Sequence, residues 1–234
     1  MNELQITDVI VVGAGLAGLS AARNIVGREV LVISDGPPGA GASALAQGGI
    51  ATALADDDSL ALHVEDTLRA GMGLSRIDRV WQLVDEGLEQ MIGLFELGVP
   101  FDRGADGQLH LGREAAHSRN RIVHAGGDAT GKSLLARLVE AMGEDCPNVG
   151  WASGEVVDLI VVEGRVRGVI CVEPDGRVRP ILAQAVVLAT GGVGQLYGAT
   201  TNPAQATGAG LAIAARAGAM LADLEFVQFH PTAM

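Results

Sequence analysis

Aromatic residues make up only 3% of the 234 residues, too few for the stacked-base platforms of single-strand nucleic-acid binders. Basic residues are scarce as well. Sixteen Lys and Arg face 28 Asp and Glu, and the net charge of −12 opposes binding to any polyanion. The two cysteines, Cys146 and Cys171, have no CxxC pair or Cys/His cluster around them, which excludes a disulfide framework and a thiolate metal site. No stretch approaches the ~18 uninterrupted apolar residues of a membrane span; the Ala-rich run Leu211 to Ala222 is broken by Arg216. The opening MNELQITDVIVVG lacks the basic n-region of a secretory signal. A soluble, cytoplasmic protein is expected, with neither nucleic acid nor membrane as partner.

What the chain does have is apolar residues and glycine. Hydrophobic residues are 48% of the total, enough for a core in one large domain or two small ones. The 33 glycines are roughly double the usual ~7% and follow no G-X-Y period, so they serve tight turns and close approaches of backbone to something bound.

Ile6 to Val12 is short, β-branched and apolar, as in a strand buried on both faces of a parallel sheet. A helix from Leu16 to Val26 and a second strand, Glu29 to Ile33, complete a βαβ unit. Amphipathic helices are predicted over Asp58 to Gly71 and Asp78 to Leu97, and another over Lys132 to Met142. Glu155 to Glu163, Val166 to Glu173 and Val178 to Leu182 read as hairpin strands, and Ala185 to Thr190 as a separate buried strand. A small-residue helix follows from Gly208 to Ala219.

Two glycine-rich loops compete for a phosphate. Gly13-x-Gly15-x-x-Gly18 lies between the first strand and helix, the context a dinucleotide fingerprint requires. There Gly13 allows the tight turn, Gly15 lets the backbone approach a diphosphate, and Gly18 lets helix pack on strand. The free N–H groups of the helix N-terminus would face that diphosphate. The ribose needs a polar group at the end of the second strand, which Ser34 or Asp35 must supply; this feature does not separate NAD from FAD.

The rival is GGDATGKS, Gly126 to Ser133, which matches GxxxxGK[ST] and would make the protein a P-loop nucleoside-triphosphatase through Lys132 and Ser133. RIVHA is a poor buried strand to precede it, and a helix start capped by Asp128 or Thr130 is the simpler account. His110, His117 and His124 are spaced by seven, but Gly112, Gly126 and Gly127 interrupt any shared helix, so no metal site is expected.

TDVIVVGAGLAGLSAA, SALAQGGIA (43–51), HVEDTLRAG (63–71), REAAHSRNRIVHAGGDATG (113–131), VVLATGG (186–192), TTNPAQATGAG (200–210) and LEFVQFHPTA (224–233) occur in order along the chain. Together they resemble the succinate dehydrogenase/fumarate reductase flavoprotein family. The resemblance implies an α/β fold, a doubly wound FAD-binding domain of the glutathione-reductase type. Residues 1–234 would be its N-terminal portion, truncated before or within the capping domain. It places GGDATGKS in the family's HAxDxTG block, where Lys132 and Ser133 are incidental.

By the same resemblance, FAD would contact Gly13, Ala14, Gly15, Leu16, Ala17 and Gly18, then Ser34 and Asp35. Ser43, Ala44, Ala46, Gln47, Gly48 and Gly49 would run along the flavin, with Val156, Ala189, Thr190, Gly191 and Ala209 also flanking the cofactor. Ala42 stands where membrane-bound members have the histidine that holds FAD covalently, so a non-covalent cofactor is implied. Two residues depart from the family: Ala209 replaces the aspartate of TGDG, and Asp35 stands where lysine is common.

The GREAAHS stretch points to the branch that oxidises L-aspartate, with hydride passing from Cα to flavin N5 to give iminoaspartate, the first step toward quinolinate and NAD. Glu114 would pair with the substrate ammonium and His230, in the FHPT block, with a carboxylate. O2 or fumarate would accept the electrons, and quinolinate synthase would use the product. A soluble fumarate reductase is the alternative within the family. The 234-residue chain alone is expected to be inactive.

Overall fold

The structure, a computed structural model, describes residues 4–228. Its elements in chain order are β1 (Gln5–Val12), α1 (Leu16–Asn24), β2 (Val30–Ser34), β3 (Ile50–Ala51), α2 (Leu60–Ala70), α3 (Ile77–Glu96), β4 (Leu111–Gly112) and β5 (Ile122–Val123). There follow α4 (Thr130–Asp145), β6 (Val149–Ser153), β7 (Glu155–Val162), β8 (Arg165–Val172), β9 (Val178–Leu188) and α5 (Ala209–Arg216). The chain divides into two compact units: one ends at Ser43 and resumes at Val139, and the other is Ala44–Leu138.

The first unit is built on a six-stranded sheet in the order β6-β2-β1-β9-β8-β7. β6, β2, β1 and β9 run parallel, and β8 and β7 extend the sheet as antiparallel strands. Ile10, Val11, Val32, Ile33, Val169 and Ile181 are each at most 1% exposed. Full burial of such a side chain contributes roughly 1.5–3 kcal/mol. The apolar run that predicted β1 is fully buried only over its second half, Ile10 to Val12; Ile6 is 71% exposed. Helix α1 packs on β1, β2 and β9, and α5 on β7.

Two strand assignments change. Val178–Leu188 is one strand rather than two, because it exchanges partners without breaking: 178–182 pair with β8 and 181–188 with β1. β6 (VGWAS) carries no apolar alternation and is fixed instead by its parallel register with β2, Val30↔Val149 through Ser34↔Ser153.

The second unit holds the helix pair α2 and α3, which bury Val64, Val80 and Val84 against each other, and a small antiparallel sheet ordered β3-β5-β4. Ser59 caps α2, its hydroxyl accepting from the Leu62 N–H at 3.2 Å.

Candidate functional site

In the first unit, the carboxyl ends of β1, β2 and β9 open onto a crevice with a cavity of about 400 Å³. Gly13 makes the turn out of β1 at φ +107°, a region L side chains rarely adopt. Its N–H donates to the Ile33 carbonyl at 2.8 Å. A methyl group on Gly13 would sit 2.3 Å from the Ala189 carbonyl oxygen, and one on Gly18 would sit 1.9 Å from the Gly13 carbonyl oxygen. These two glycines are consumed by the packing of strand, turn and helix. Gly15 is not: a methyl there would meet only Ser43 Oγ, at 3.5 Å.

Gly15 is also the N-cap of α1, which has no side-chain cap and no acidic residue in its first turn. The Leu16 N–H has the Ser43 hydroxyl at 3.4 Å. This helix end therefore offers backbone donors and partial positive charge to an anion, on a residue with no side chain in the way.

The crevice is lined by Gly13, Ala14, Gly15, Leu16, Ala17, Ser34, Asp35, Ala42, Ser43, Ala189, Thr190 and Gly191. A narrower extension of about 100 Å³ adds Gly154, Glu155, Val156, Thr207 and Ala209. The structure thus gathers at one place the sequence-predicted residues of this unit, except Gly18, which faces the packing. The length and donor set suit an elongated diphosphate-containing cofactor. A larger hollow of about 600 Å³ at the other end of β1, around Ile6, Asp8 and Gln184, includes neither the glycine turn nor Gly15 at the start of α1.

In the second unit lie Ala44, Ala46, Gln47, Gly48, Gly49 and Glu114. Gly49 is held against β5, where a methyl would meet the Val123 carbonyl oxygen at 2.4 Å. Gly48 is open, and a methyl on it would lie 4.0 Å from Glu114 Oε1. The exposed Glu114 carboxylate therefore stands beside the glycine pair of SALAQGGIA. His230 lies outside the described residues.

Behind Glu114 is a polar core the sequence reading did not identify. Arg121 is 0% exposed. Its Nε and NH2 donate to the two Asp58 carboxylate oxygens at 2.9 and 2.8 Å, and NH1 donates to Asp66 Oδ2 at 2.8 Å. Asp66 Oδ2 also accepts from the Ser118 N–H at 2.6 Å and from its hydroxyl at 2.7 Å, and Asp66 pairs with Arg69. Burial alone would raise the Asp66 carboxyl; the Ser118 and Arg121 hydrogen bonds outweigh it and hold the group well below the ordinary carboxylate range. Burial, then the positive charge of Arg121, lowers the His63 imidazole. The His63 ring meets the His117 ring edge-on at 5.7 Å.

GGDATGKS does not form a phosphate cradle. The strand before it, β5, is two residues long and antiparallel to both neighbours. The Gly126 and Gly127 N–H groups donate to the Asp102 carboxylate, each at 2.9 Å, so a carboxylate of the chain already holds the donors a phosphate would need. Of the two caps expected for α4, Asp128 or Thr130, the Thr130 hydroxyl instead accepts from the Ala125 N–H at 3.1 Å and closes the loop.

Residues 8–234 match the FAD binding domain family. The chain belongs to the FAD-binding domain family of the succinate dehydrogenase and fumarate reductase flavoproteins. FAD is the cofactor of this fold, and the Gly13–Gly18 turn with its open Gly15 fits the diphosphate of FAD. The chain is 46% identical over 226 residues to an L-aspartate oxidase of Mesorhizobium japonicum, covering 96% of this chain and 44% of that protein. Among solved structures, Mycobacterium smegmatis Sdh1 in complex with UQ1 superposes with a TM-score of 0.91 at 32% identity, covering 98% of this chain and 41% of that one. A mutant E. coli quinol fumarate reductase does so with 0.84, also at 32% identity, over 90% of this chain and 37% of that one. The chain spans less than half the length of the curated relatives it matches. Among the described residues, no helix is long and apolar enough to cross a membrane.

Within this flavoprotein domain, the polar crevice side chains Glu155, Gln205 and Thr207 went unremarked in the sequence. Gln205 and Thr207 sit in the TTNPAQATGAG block, and their polarity between Pro203 and Gly208 was the available signal. The Asp58–Asp66–Arg121 cluster had none, since its members are separated by up to 63 residues.

Proposed function

We propose that this chain is the cofactor- and amine-binding part of an FAD-dependent L-aspartate oxidase. The observation that carries the reading is the Glu114 carboxylate beside Gly48, on the segment expected to run along the flavin. The crevice residues Gly13 to Ala17, with Ser34 or Asp35 toward the ribose, hold FAD without a covalent bond, because the methyl side chain of Ala42 offers no nucleophile. Bound FAD supplies a two-electron acceptor for the substrate Cα–H.

The chain's own residues select and orient. Glu114 holds the substrate ammonium and His230 one of its carboxylates, so that the two ends of the substrate are each held by a charge-matched group. At ~4 Å and an effective dielectric near 20, the ammonium–carboxylate attraction is of order 4 kcal/mol before desolvation, enough to favour aspartate over succinate. The electrons pass to O2 or fumarate, and the imine product is used by quinolinate synthase in NAD biosynthesis in the cytoplasm.

The test compares aspartate and succinate turnover by the full-length protein with that of Glu114→Gln. Preference for aspartate that falls in the variant is expected; equal use of both substrates by the parent favours a fumarate reductase instead. The 234-residue chain alone is expected to bind FAD but to produce no aspartate-dependent peroxide.

A further inference from the structure

We propose that the buried Asp58–Asp66–Arg121 cluster positions Glu114, and thereby sets the preference for an amino dicarboxylate over one without an amine. The inference rests on the substrate-amine role given to Glu114 above.

The link is a short, closed turn. The His117 N–H donates to the Glu114 carbonyl at 3.0 Å, and Arg113 Nε donates to the His117 carbonyl at 2.9 Å. Between them lie only Ala115 and Ala116, whose methyl groups cannot fix the turn by polar contacts. It is anchored just after, where the Ser118 N–H and hydroxyl both donate to Asp66 Oδ2. Arg121 NH1 holds the same oxygen at 2.8 Å and approaches His117 Nδ1 at 3.3 Å, so His117 directly, and Ser118 through Asp66, meet one guanidinium. Asp58 then completes the ring around Arg121 through both of its oxygens. The Arg121 backbone is fixed as well: its N–H donates to the Gly112 carbonyl, and its carbonyl accepts from the Thr52 N–H.

Asp58 and Asp66 share the fully buried Arg121, and Asp66 also pairs with the more exposed Arg69, so the cluster is charge-balanced and largely removed from water. Replacing such a cluster with apolar side chains of similar volume is often neutral or stabilising, so stability alone gives little reason to keep it. Its geometric product is an exposed carboxylate on a turn that would otherwise be free to swing. Because misplacement by about 1 Å can cost about 100-fold in a positioned reaction, anchoring of this kind is what amine selection needs.

The experiment uses the full-length, FAD-loaded protein. Four variants are compared with the parent: Asp66→Asn, Ser118→Ala, Glu114→Gln, and Glu114→Gln combined with Asp66→Asn. KM and kcat for aspartate, the inhibition constant of succinate as an amine-free ligand, bound FAD and Tm are measured for each. Asp66→Asn is expected to lower kcat/KM for aspartate about 10- to 100-fold, with the succinate constant changed less than about threefold. Ser118→Ala, which removes one hydroxyl and leaves every ion pair in place, is expected to shift kcat/KM in the same direction by a smaller factor.

In the Glu114→Gln background, Asp66→Asn is expected to add less than about twofold, the signature of two residues acting through one contact. The inference is overturned if aspartate and succinate binding weaken together, or if the two substitutions multiply. If Asp66→Asn does not fold, Ser118→Ala decides in the same way. If Glu114→Gln itself leaves the aspartate preference intact, the amine-site reading has failed. If that variant loses the preference while Asp66→Asn and Ser118→Ala keep it, only the positioning inference has failed.

Discussion

Gly15 and Gly18 belong to one motif, yet the structure assigns them different work, and a pair of alanine substitutions separates the two. In Gly18→Ala the new methyl would lie 1.9 Å from the Gly13 carbonyl oxygen, a backbone atom, so turn and helix must move apart. A clash of that kind in a packed interior costs about 1–3 kcal/mol or more. In Gly15→Ala the methyl meets only Ser43 Oγ, at 3.5 Å, an ordinary contact. The backbone of Gly15 (φ −80°, ψ −172°) is one that alanine adopts freely. Reduced freedom of the unfolded chain favours the variant by about 0.4–1 kcal/mol, and the poorer N-cap opposes it by a similar amount. The apoprotein Tm should therefore move by less than about 4 °C.

The FAD diphosphate loses close approach to the helix N-terminus. One charge-assisted hydrogen bond of about 1.5–3 kcal/mol corresponds to a Kd raised about 10- to 100-fold. Titration of apoprotein with FAD, followed by flavin fluorescence, together with thermal melts of the apo form, measures both quantities. A Gly15→Ala protein that binds FAD within about twofold of the parent would refute the reasoning, because the open face of Gly15 would then have no ligand to serve.

Arg121→Met leaves the buried Asp58 without its guanidinium, while Asp66 keeps Arg69 and Ser118, and should cost about 3–5 kcal/mol in urea unfolding; a loss under 1 kcal/mol would mean water reaches the cluster. Asp66 and His63 both bind protons less readily folded than unfolded, so the unfolded chain takes up more protons on acidification and stability falls with pH. The His63 contribution is lost as pH drops below ~6.5, and that of Asp66 as pH drops below about 4; a Tm constant from neutral pH to pH ~4 would contradict this. Ala209→Asp puts a carboxylate at the first residue of α5, on the crevice wall, where the helix N-terminus favours it by about 0.3–1 kcal/mol. It should slow FAD release on dilution, and faster release would show that the carboxylate repels the diphosphate. Mg-ATP should leave the Tm unchanged, since Asp102 already holds the Gly126 and Gly127 N–H groups; a shift abolished by Lys132→Ala would restore the triphosphatase.

The sequence disclosed what is local and periodic. β1, the glycine turn and α1 form a contiguous stretch whose apolar run, turn residues and helix start each point the same way, and all three elements sit where that reading puts them. It was less informative where partners decide. VGWAS becomes a strand only because β2 offers it a parallel edge, and Val178–Leu188 stays continuous across Gln184 because β1 takes over where β8 ends.

The same limit governs the site. Glu114 could be singled out from its block, but what steadies it could not, because Asp58, Asp66 and Arg121 come from the loop before one helix, the middle of that helix and a strand edge. Their meeting is a property of the fold. An arginine with 0% exposure is the observation that calls for such a meeting: a buried guanidinium is costly unless its charge is paired and its donors are bonded, Asp58 and Asp66 do both here, and the position of Asp66 then holds the turn that carries Glu114.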